Sequence, residues 1–441
     1  MNRLIKTMLT IVVVILGLWL VLEFGLRWYV ESPLTTDFYS SAAREGLLPR
    51  QNEAGVRTVS GSNWIHLGWV ADPDNETYRI EKFMDGAWNE IGTAEFGSFL
   101  ISDGGGQFRV WRVPKNGSQP EILGEVTADF TGSQSPIFVP RIAGEWKTLF
   151  RPETSGSYLN DHTIYQDADG NWRLIGITSK TDGDYSQEKY FAVGVSPDFP
   201  PANGMTETEP IADFGELAWA PHVIKDGSKY HIFWSPHQLH QMESNDGIVW
   251  ENHQVTMPAP YHKFFRDAMV LQVAEDQWLL YTTARGNYYS QIDVYQSFDL
   301  REWQYIRTAL SSGWGSERNS PFSSMESPFV VDYQGHYYLS LTYNNDSFFL
   351  PGLLLPLKIW LNPASYNETL IFHSDNPYDF GAYRGGNNSP TLLTRLETHA
   401  PELVHNPDTD SWYITTAGWP WVATLTSGEA AVAPLVWDAR P

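Results

Sequence analysis

The chain has 441 residues and a net charge of −23; aromatic residues make up 14% of it and charged residues only 18%. This composition is typical of an all-β protein with a large core rather than of a disordered chain. The acidic balance argues against nucleic acid or an anionic membrane surface as the main ligand, because both require a basic footprint. The absence of cysteine excludes disulfides, zinc–thiolate sites and cysteine nucleophiles.

Residues 1–30 predict a membrane anchor. Arg3 and Lys6 precede an apolar run over residues 8–22, which has about the length of a signal-peptide core. No small-residue cleavage site follows closely, and Trp28 is typical of an interfacial anchor. We therefore favour an uncleaved signal anchor over a cleaved signal peptide. Positive charge before the run leaves the N-terminus in the cytoplasm, so we expect the body of the protein to be exported and tethered.

Residues 31–52 have no clear periodicity and are interpreted as a stalk. Residues 53–131 contain runs of alternating polar and apolar residues separated by Asp- and Gly-rich turns, which predicts a small β-sandwich. The runs cover residues 64–70, 77–83 and 108–113. The strand order and the positions of Trp69 and Tyr78 resemble a fibronectin type III module. We interpret it as a spacer that holds the next domain away from the membrane.

Residues 132–441 contain five copies of one pattern: a short apolar strand, a polar turn, and an aromatic residue that opens a second strand. The copies begin at Asn160, Trp219, Arg266, Met325 and His399, and their aromatic residues are Trp172, Tyr230, Trp278, Tyr337 and Trp412. Strand pairs repeated at this spacing predict a five-bladed β-propeller. Further strand signals, interpreted as the outer strands of the first four blades, cover residues 193–199, 241–247, 294–300 and 371–377.

One apolar segment interrupts this pattern. Residues 348–360 are rich in leucine but broken by proline, which makes them unsuited to a membrane helix. We expect the segment either to be buried in blade four or to form a wall of the active site.

One column of the repeat carries three acids. Aligned three residues before the apolar pair, the column consists of Asp161, Ala220, Asp267, Glu326 and Ala400. In a propeller, one column becomes one ring around the axis. Cleavage of a glycoside needs one protonated and one ionised carboxyl flanking the bond, and crowded carboxylates raise the pKa of at least one of them. The column therefore predicts a site for sugar hydrolysis.

The motifs around these acids resemble the five-bladed propellers of the glycoside hydrolase 43 and 32 superfamily, over residues 140–438. They are L-N-D-H from Leu159, W-A-P-H from Trp219, F-R-D-A from Phe265, M-E-S-P from Met325 and H-A-P-E from His399. This chain departs from the superfamily pattern at three positions: Ala268 stands in place of proline, Ser327 in place of cysteine and His222 in place of aspartate. Its group within the superfamily therefore stays open.

The resemblance implies a role for each acid. Glu326 is expected to be the general acid that protonates the leaving oxygen. Asp161 is expected to be the general base of an inverting reaction or the nucleophile of a retaining one. Asp267 is expected to tune the pKa of the acid or to bind sugar hydroxyls, with Arg266 as a charged hydroxyl donor beside it.

Other side chains are candidates for substrate binding. His222 is expected to bind hydroxyls or to be structural. Each of Trp219, Trp234 and Trp419 is expected either to stack on the apolar face of a sugar or to belong to the core of a blade. His399 is expected either to lie on the axis and orient water or an ion, or to be a hydrogen-bonded core residue. No catalytic cofactor is predicted, and a structural axial ion near His399 stays open.

The sequence thus favours an exported glycosidase that acts on a terminal furanoside-like residue, of arabinose, xylose or fructose type, in an oligo- or polysaccharide. A non-catalytic carbohydrate-binding propeller is the alternative from another class. A propeller that serves only as a platform for protein interactions is a third reading, and it predicts no convergent acids.

Overall fold

The computed structural model describes residue 17 and residues 55–440, except for residues 132–134, 155, 180–184, 212–213, 257–264, 285–290, 313–323, 345–365, 384–388 and 421–424. The predicted anchor and stalk, and the apolar segment 348–360, lie outside the described residues. Within the part of the chain that is described, no helix has the length and apolar character needed to cross a membrane.

The N-terminal domain consists of two antiparallel sheets that share one core. Its strands are β1 (Arg57–Ser60), β2 (Ile65–Gly68), β3 (Glu76–Met84), β4 (Ala87–Ala94), β5 (Ser98–Ile101), β6 (Gly106–Pro114) and β7 (Glu121–Ala128). The sheet orders are β1-β2-β5 and β4-β3-β6-β7. Trp69, Tyr78, Ile80 and Phe108 are almost completely buried between the sheets, as the alternating pattern requires. The domain is a β-sandwich, and its resemblance to a fibronectin type III module stays a prediction.

Five further sheets form the blades of a propeller. Two strands precede the first blade and pair with the last one: β8 (Phe138–Ile142) and β9 (Lys147–Phe150). Blade one contains β10 (His162–Gln166), β11 (Trp172–Thr178), β12 (Tyr190–Ser196) and β13 (Thr206–Ile211), with a 3-10 turn at Tyr185–Gln187. Blade two contains β14 (Trp219–Asp226), β15 (Lys229–Ser235), β16 (Leu239–Ser244) and β17 (Glu251–Thr256).

The remaining blades follow the same antiparallel plan. Blade three contains β18 (Arg266–Ala274), β19 (Gln277–Ala284), β20 (Gln291–Ser297) and β21 (Gln304–Ser312), with β25 (Gly381–Tyr383) added parallel to β21. Blade four contains β22 (Ser324–Tyr333), β23 (His336–Asn344), β24 (Glu368–Ser374) and β26 (Leu392–Leu396). Blade five contains β27 (Leu403–Asn406), β28 (Ser411–Thr416) and β29 (Ala430–Ala439), and it is completed by β8.

The strands predicted to be the outermost ones of the first four blades do not lie at the edge of their sheets. They are β12, β16, β20 and β24, the third strand of each blade, and a fourth strand follows each of them. The prediction was wrong because the outermost strands bury few side chains: β13 and β17 have mostly exposed or half-buried residues. An edge strand that lacks a buried face has no clear alternating pattern to detect.

Hydrogen bonds join each blade to the next and close the ring. Val223 N donates to Thr163 Oγ1 (3.3 Å), Asp267 N to Ser235 Oγ (2.8 Å), Ser327 N to Asp267 Oδ2 (3.1 Å), Ala400 N to Thr342 Oγ1 (2.7 Å) and Ile164 N to Glu402 Oε2 (2.8 Å). These bonds connect blades one to two, two to three, three to four, four to five and five to one. The predicted all-β architecture with a five-bladed propeller is confirmed.

The sandwich packs against blades three and four. Gln304 on β21 accepts a hydrogen bond from Ala71 N (3.2 Å) and donates one to Ala71 O (3.0 Å). Gln296 on β20 donates to Gly97 O (2.5 Å). Both glutamines lie near the end of the sheet where β18 turns into β19, opposite the end where β18 starts. The sandwich therefore covers the propeller face that lies away from the first residues of the inner strands.

Candidate active site

The three predicted acids lie at the same end of the propeller. Asp161 directly precedes β10, Asp267 is the second residue of β18, and Glu326 is the third residue of β22. Each of these strands is the first of its blade and faces the axis, so their starts converge on one mouth of the ring. Asp267 and Glu326 are 3% and 5% exposed, and Asp161 is half-buried beside them.

A β-bulge follows the first residues of three inner strands. Residues paired before the bulge are Trp219 with Ser235, Arg266 with Thr283 and Glu326 with Thr342. In each strand two residues then remain unpaired before the ladder resumes. The first of them has a positive φ in blades two, three and four, and Ala400 in blade five shares this conformation: Ala220 (48°), Asp267 (58°), Ser327 (53°) and Ala400 (43°).

This geometry corrects the column that the sequence suggested. Glu326 is equivalent to Arg266 and Trp219, whereas Asp267 is equivalent to Ser327. The sequence alignment counted three residues back from the first apolar pair of each strand. In β22, Phe329 lengthens the apolar run by one residue at its start, so the count aligned Glu326 with Asp267 although Glu326 is equivalent to Arg266. The three acids thus meet at one mouth of the ring although they do not occupy one column.

Ser327 connects two of the acids. Its backbone amide donates to Asp267 Oδ2 (3.1 Å), and its hydroxyl donates to Asp161 Oδ1 (3.2 Å). The left-handed backbone of Ser327 turns its N–H toward blade three. In the sequence, only the departure from the superfamily pattern singled out this residue.

Arg266 connects Asp267 with the third acid. Its Nη1 lies 3.1 Å from Asp267 Oδ2, and its Nη2 forms an ion pair and a hydrogen bond with Glu326 Oε2. The guanidinium is largely buried, which strengthens both contacts because little water competes for them. One guanidinium therefore forms ion pairs with two of the three neighbouring carboxylates.

The charges divide the three acids into two kinds. Loss of solvent raises the pKa of Asp161 well above its ordinary value, and the nearby charges of Asp267 and Glu326 raise it further. Burial also raises the pKa of Asp267, although Arg266 opposes this. For Glu326, burial acts upward, but the Arg266 charge and hydrogen bonds from Arg266 and Tyr366 outweigh it and lower the pKa. The site therefore holds Glu326 ionised and favours a proton on Asp161.

Tyr366, His399 and Trp419 form a cluster next to Glu326. The Tyr366 phenol is hydrogen-bonded to Glu326. The Tyr366 ring lies 5.3 Å from the His399 ring and 6.5 Å from the Trp419 ring. Trp419 is half-buried and donates from Nε1 to Glu188 Oε1 (3.0 Å). These contacts place Trp419 close to the acids, where an indole face suits a sugar ring.

The surroundings of His399 fit one of the two alternatives that the sequence left open. Its ring is 1% exposed, and Nδ1 donates to Ala417 O (2.5 Å), so it is a hydrogen-bonded core residue. It also lies close enough to Glu326 for the two charges to interact. Burial lowers the pKa of His399, which leaves the ring neutral at neutral pH. An axial ion beside it stays a prediction.

His222 lies deeper on the axis. A narrow cavity there is lined by Asp161, His162, Ala220, Pro221, His222, Asp267, Ala268, Met269, Ser327, Pro328, Phe329, Ala400, Pro401 and Glu402. His222 Nε2 donates to Val270 O (3.0 Å), and its Nδ1 is 3.9 Å from Glu402 Oε1. Burial lowers the pKa of His222 to about 4 and raises that of Glu402. His222 therefore packs beneath the acids as a neutral residue with a backbone partner.

The two remaining tryptophans differ in position. Trp219 is half-buried and, by strand register, stands at the level of Arg266 and Glu326. Trp234 has no exposed surface and stacks on His240 and His253, with ring centroids 5.2 and 5.1 Å away. The interpretation of Trp234 as a sugar-stacking residue is wrong, because its indole belongs to the core of blade two.

Comparison with known proteins gives one family match. Residues 217–340 match the model of the glycosyl hydrolases family 32 N-terminal domain. The matched range covers blades two and three and the first half of blade four, and it contains Asp267 and Glu326 but not Asp161. This match agrees with the superfamily resemblance. No curated protein sequence matches the chain.

Several solved structures are similar at low identity. A thermostable family-43 glycoside hydrolase is 16% identical with a TM-score of 0.46, covering 67% of this chain and 96% of that one. An α-L-arabinofuranosidase from Fusarium graminearum is 12% identical with a TM-score of 0.43, covering 66% of this chain and 96% of that one. A family-32 β-fructofuranosidase from Bombyx mori is 13% identical with a TM-score of 0.42, covering 63% of this chain and 59% of that one.

Proposed function

We propose that the protein is a glycosidase that hydrolyses O-glycosidic bonds at the mouth formed by Asp161, Asp267 and Glu326. The observation that carries this proposal is the unequal environment of the acids: Arg266 holds Glu326 ionised, while burial and like charges favour a proton on Asp161. A protonated carboxyl beside an ionised one is the combination that glycoside cleavage uses. The family-32 domain match supports the same reaction class.

The proposed roles follow the motifs. Glu326 donates the proton to the leaving oxygen, and Asp161 activates water or attacks the sugar. This assignment requires the proton to move from Asp161 to Glu326 when substrate binds. Arg266 controls this shift, because it contacts both Glu326 and Asp267. A sugar hydroxyl that accepts a hydrogen bond from the guanidinium would weaken its contact with Glu326, and the pKa of Glu326 would rise. The opposite assignment, with Asp161 as the donor, follows directly from the charges around the three acids.

The proposed substrate is a terminal furanoside-like residue of arabinose, xylose or fructose type in an oligo- or polysaccharide. Tyr366 and Trp419 stand beside Glu326 and offer an aromatic wall for a sugar ring. The net charge of −23 fits a neutral polymer better than an anionic one. Export of the body of the protein to the periplasm or the cell exterior, with the N-terminal segment as a membrane anchor, is part of the same proposal.

A hydrolysis screen of the full chain tests the reaction. Aryl arabinofuranosides, xylosides, galactosides and fructans are supplied to the wild-type protein and to Asp161→Asn. Turnover that disappears in the variant supports a glycosidase. If neither protein turns over any substrate and sugars stabilise both equally against heat, the carbohydrate-binding propeller is correct instead.

Substrates with different leaving groups separate the two assignments of the acid. A variant that lacks the proton donor keeps activity on an aryl glycoside whose phenolate leaves without protonation, but loses activity on a natural sugar leaving group. We expect this selectivity from Glu326→Gln. The same selectivity in Asp161→Asn, and its absence in Glu326→Gln, would reverse the assignment.

A further inference from the structure

A second group of ionisable side chains lies at the opposite face of the propeller. His336 is the first residue of β23, His373 belongs to β24, and Asp375 follows the end of that strand. One ligand atom from each of them lies within 4.8 Å of the other two. Glu326 lies near the start of β22, and this strand ends shortly before His336. The length of β22 therefore separates the three acids from this second group by about 25 Å.

The ligand atoms of these residues face one another. His336 Nε2 lies 3.0 Å from Ser135 O, and because a carbonyl only accepts, this nitrogen carries a proton and donates it. His336 Nδ1 points at Asp375 Oδ1 (2.5 Å) and at His373 Nε2 (3.1 Å). His373 Nε2 is also 3.5 Å from Asp375 Oδ1. A nitrogen and a carboxylate oxygen this close need a proton or a metal ion between them, and a metal ion can satisfy all three atoms at once whereas one proton satisfies a single pair.

We propose that His336 Nδ1, His373 Nε2 and Asp375 Oδ1 bind one divalent transition-metal ion such as Zn²⁺. Two imidazoles and a carboxylate suit zinc, with water as the fourth ligand. Bond lengths of about 2.0–2.2 Å in a tetrahedral site place ligand atoms roughly 3.3 Å apart. The separations of 3.1 and 3.5 Å already fit this value, and the 2.5 Å separation needs a small rotation of Asp375.

The groups around the site are arranged to support the ligands. The Ser135 carbonyl fixes the ring orientation of His336, which is the usual task of a partner behind a metal-bound histidine. The His336 and His373 side chains are 6% and 14% exposed, and Asp375 is 27% exposed, which leaves room for a water ligand on its side.

The position of the site suggests what the ion does. Ser135 belongs to the segment between the sandwich and the propeller, and Trp64 of the sandwich donates from Nε1 to Asp375 O (2.5 Å). An ion bound there would join the connecting segment, the sandwich and blade four at one point. Its role is to stabilise the domain contact, and it does not take part in the proposed hydrolysis.

Metal analysis of the full chain, prepared without a polyhistidine tag, tests the proposal. The protein is stripped with a chelator, titrated with Zn²⁺ by calorimetry, and dialysed for elemental analysis. We expect one equivalent of zinc per chain and a higher Tm in its presence. His373→Ala and Asp375→Asn should each weaken zinc binding at least about tenfold. His405→Ala is the control, because His405 forms an exposed two-residue pair with Asp410 (3.0 Å) and should leave zinc binding unchanged.

Cobalt gives a readout that does not depend on the variants. Co²⁺ in a site with two imidazoles and a carboxylate should produce visible absorption in the wild-type chain, and stoichiometric zinc should remove it. If the stripped wild type binds no stoichiometric ion, or if His373→Ala binds zinc as tightly as His405→Ala does, the proposal is wrong. The cluster is then a charged His336–Asp375 pair only.

Discussion

Arg266 and Glu326 occupy the same register position in neighbouring blades, and their side chains form an ion pair across the mouth of the propeller. At this register position, blade three therefore has a cation and blade four has an acid. Arg266 also reaches Asp267, the next residue in its own strand, so that two acids share one positive charge. The same charge also acts to lower the pKa of Asp161, but burial and the charges of Asp267 and Glu326 outweigh it. This inequality underlies the predictions for the site.

Replacing Glu326 by glutamine should strongly slow the hydrolysis of a natural glycoside and leave the fold intact. The amide keeps the shape of the side chain but cannot give or take the catalytic proton, and such a loss lowers kcat by about 10²- to 10⁴-fold. Arg266 keeps Asp267 as a partner, so we expect Tm to fall by a few degrees at most. Steady-state kinetics and a thermal melt measure both. Glu368→Gln is the control, because this glutamate pairs with Arg395 in the same blade (2.6 Å), and it should keep full activity.

Asp161→Asn should stabilise the protein at neutral pH and not in acid. The pKa of Asp161 is raised in the folded state, so its contribution to stability is complete below the unfolded value of 3.8 and is lost as pH rises through the folded value. Asparagine removes this loss. The difference in Tm between variant and wild type should be near zero at pH 3 and should grow toward pH 7. Asp276→Asn, in an exposed turn, should show no such trend. A constant difference at all pH values would contradict the raised pKa.

Arg266→Lys should shift the pH dependence of catalysis. Lysine cannot contact Asp267 and Glu326 in the forked manner of a guanidinium, so the pKa values of both acids should rise. We expect the acidic limb of the kcat/KM profile to move to higher pH and kcat/KM to fall by at least about tenfold, or roughly 1.4 kcal/mol. Arg395→Lys changes a half-buried arginine of blade four and should leave the profile in place. An unmoved acidic limb in Arg266→Lys would refute the shielding role.

Gln304→Ala should loosen the sandwich from the propeller. The substitution removes both hydrogen bonds to Ala71, each of which contributes about 0.5–1.5 kcal/mol. We expect faster proteolytic cleavage between the domains, in residues 129–137, while turnover stays unchanged. Gln107→Ala alters an exposed glutamine of the sandwich and is the control. Equal cleavage rates for both variants would show that Gln304 does not hold the contact.

The sequence predicted the architecture well where side chains alternate between buried and exposed faces. The first two strands of each blade carry strong apolar patterns, and Trp172, Tyr230 and Trp278 are buried at the starts of second strands as their repeat required. The third strands were detected but placed at the blade edge, because the true edge strands β13 and β17 bury too few residues to show a pattern.

The identities of the acids came from the sequence, and their arrangement came from the tertiary structure. Asp161, Asp267 and Glu326 could be selected because carboxyl groups recur near the starts of repeated strands. Their true register could not, because Phe329 extends the apolar run of β22 by one residue, and only the strand pairing shows that Glu326 is equivalent to Arg266. The contacts of Ser327 with Asp161 and Asp267 likewise join different blades.

The sequence by itself determined that this protein is an all-β chain whose repeated strands bring acids to one mouth of a propeller. Local patterns carry that information because the alternation of apolar and polar residues in a strand shows which of its faces is buried. Only the tertiary structure decided which acids pair with Arg266 and which acid is raised in pKa by its acidic neighbours. The pKa of a buried carboxyl depends on charges a few ångströms away in space, and for Glu326 and Arg266 that neighbour is 60 residues away in the chain.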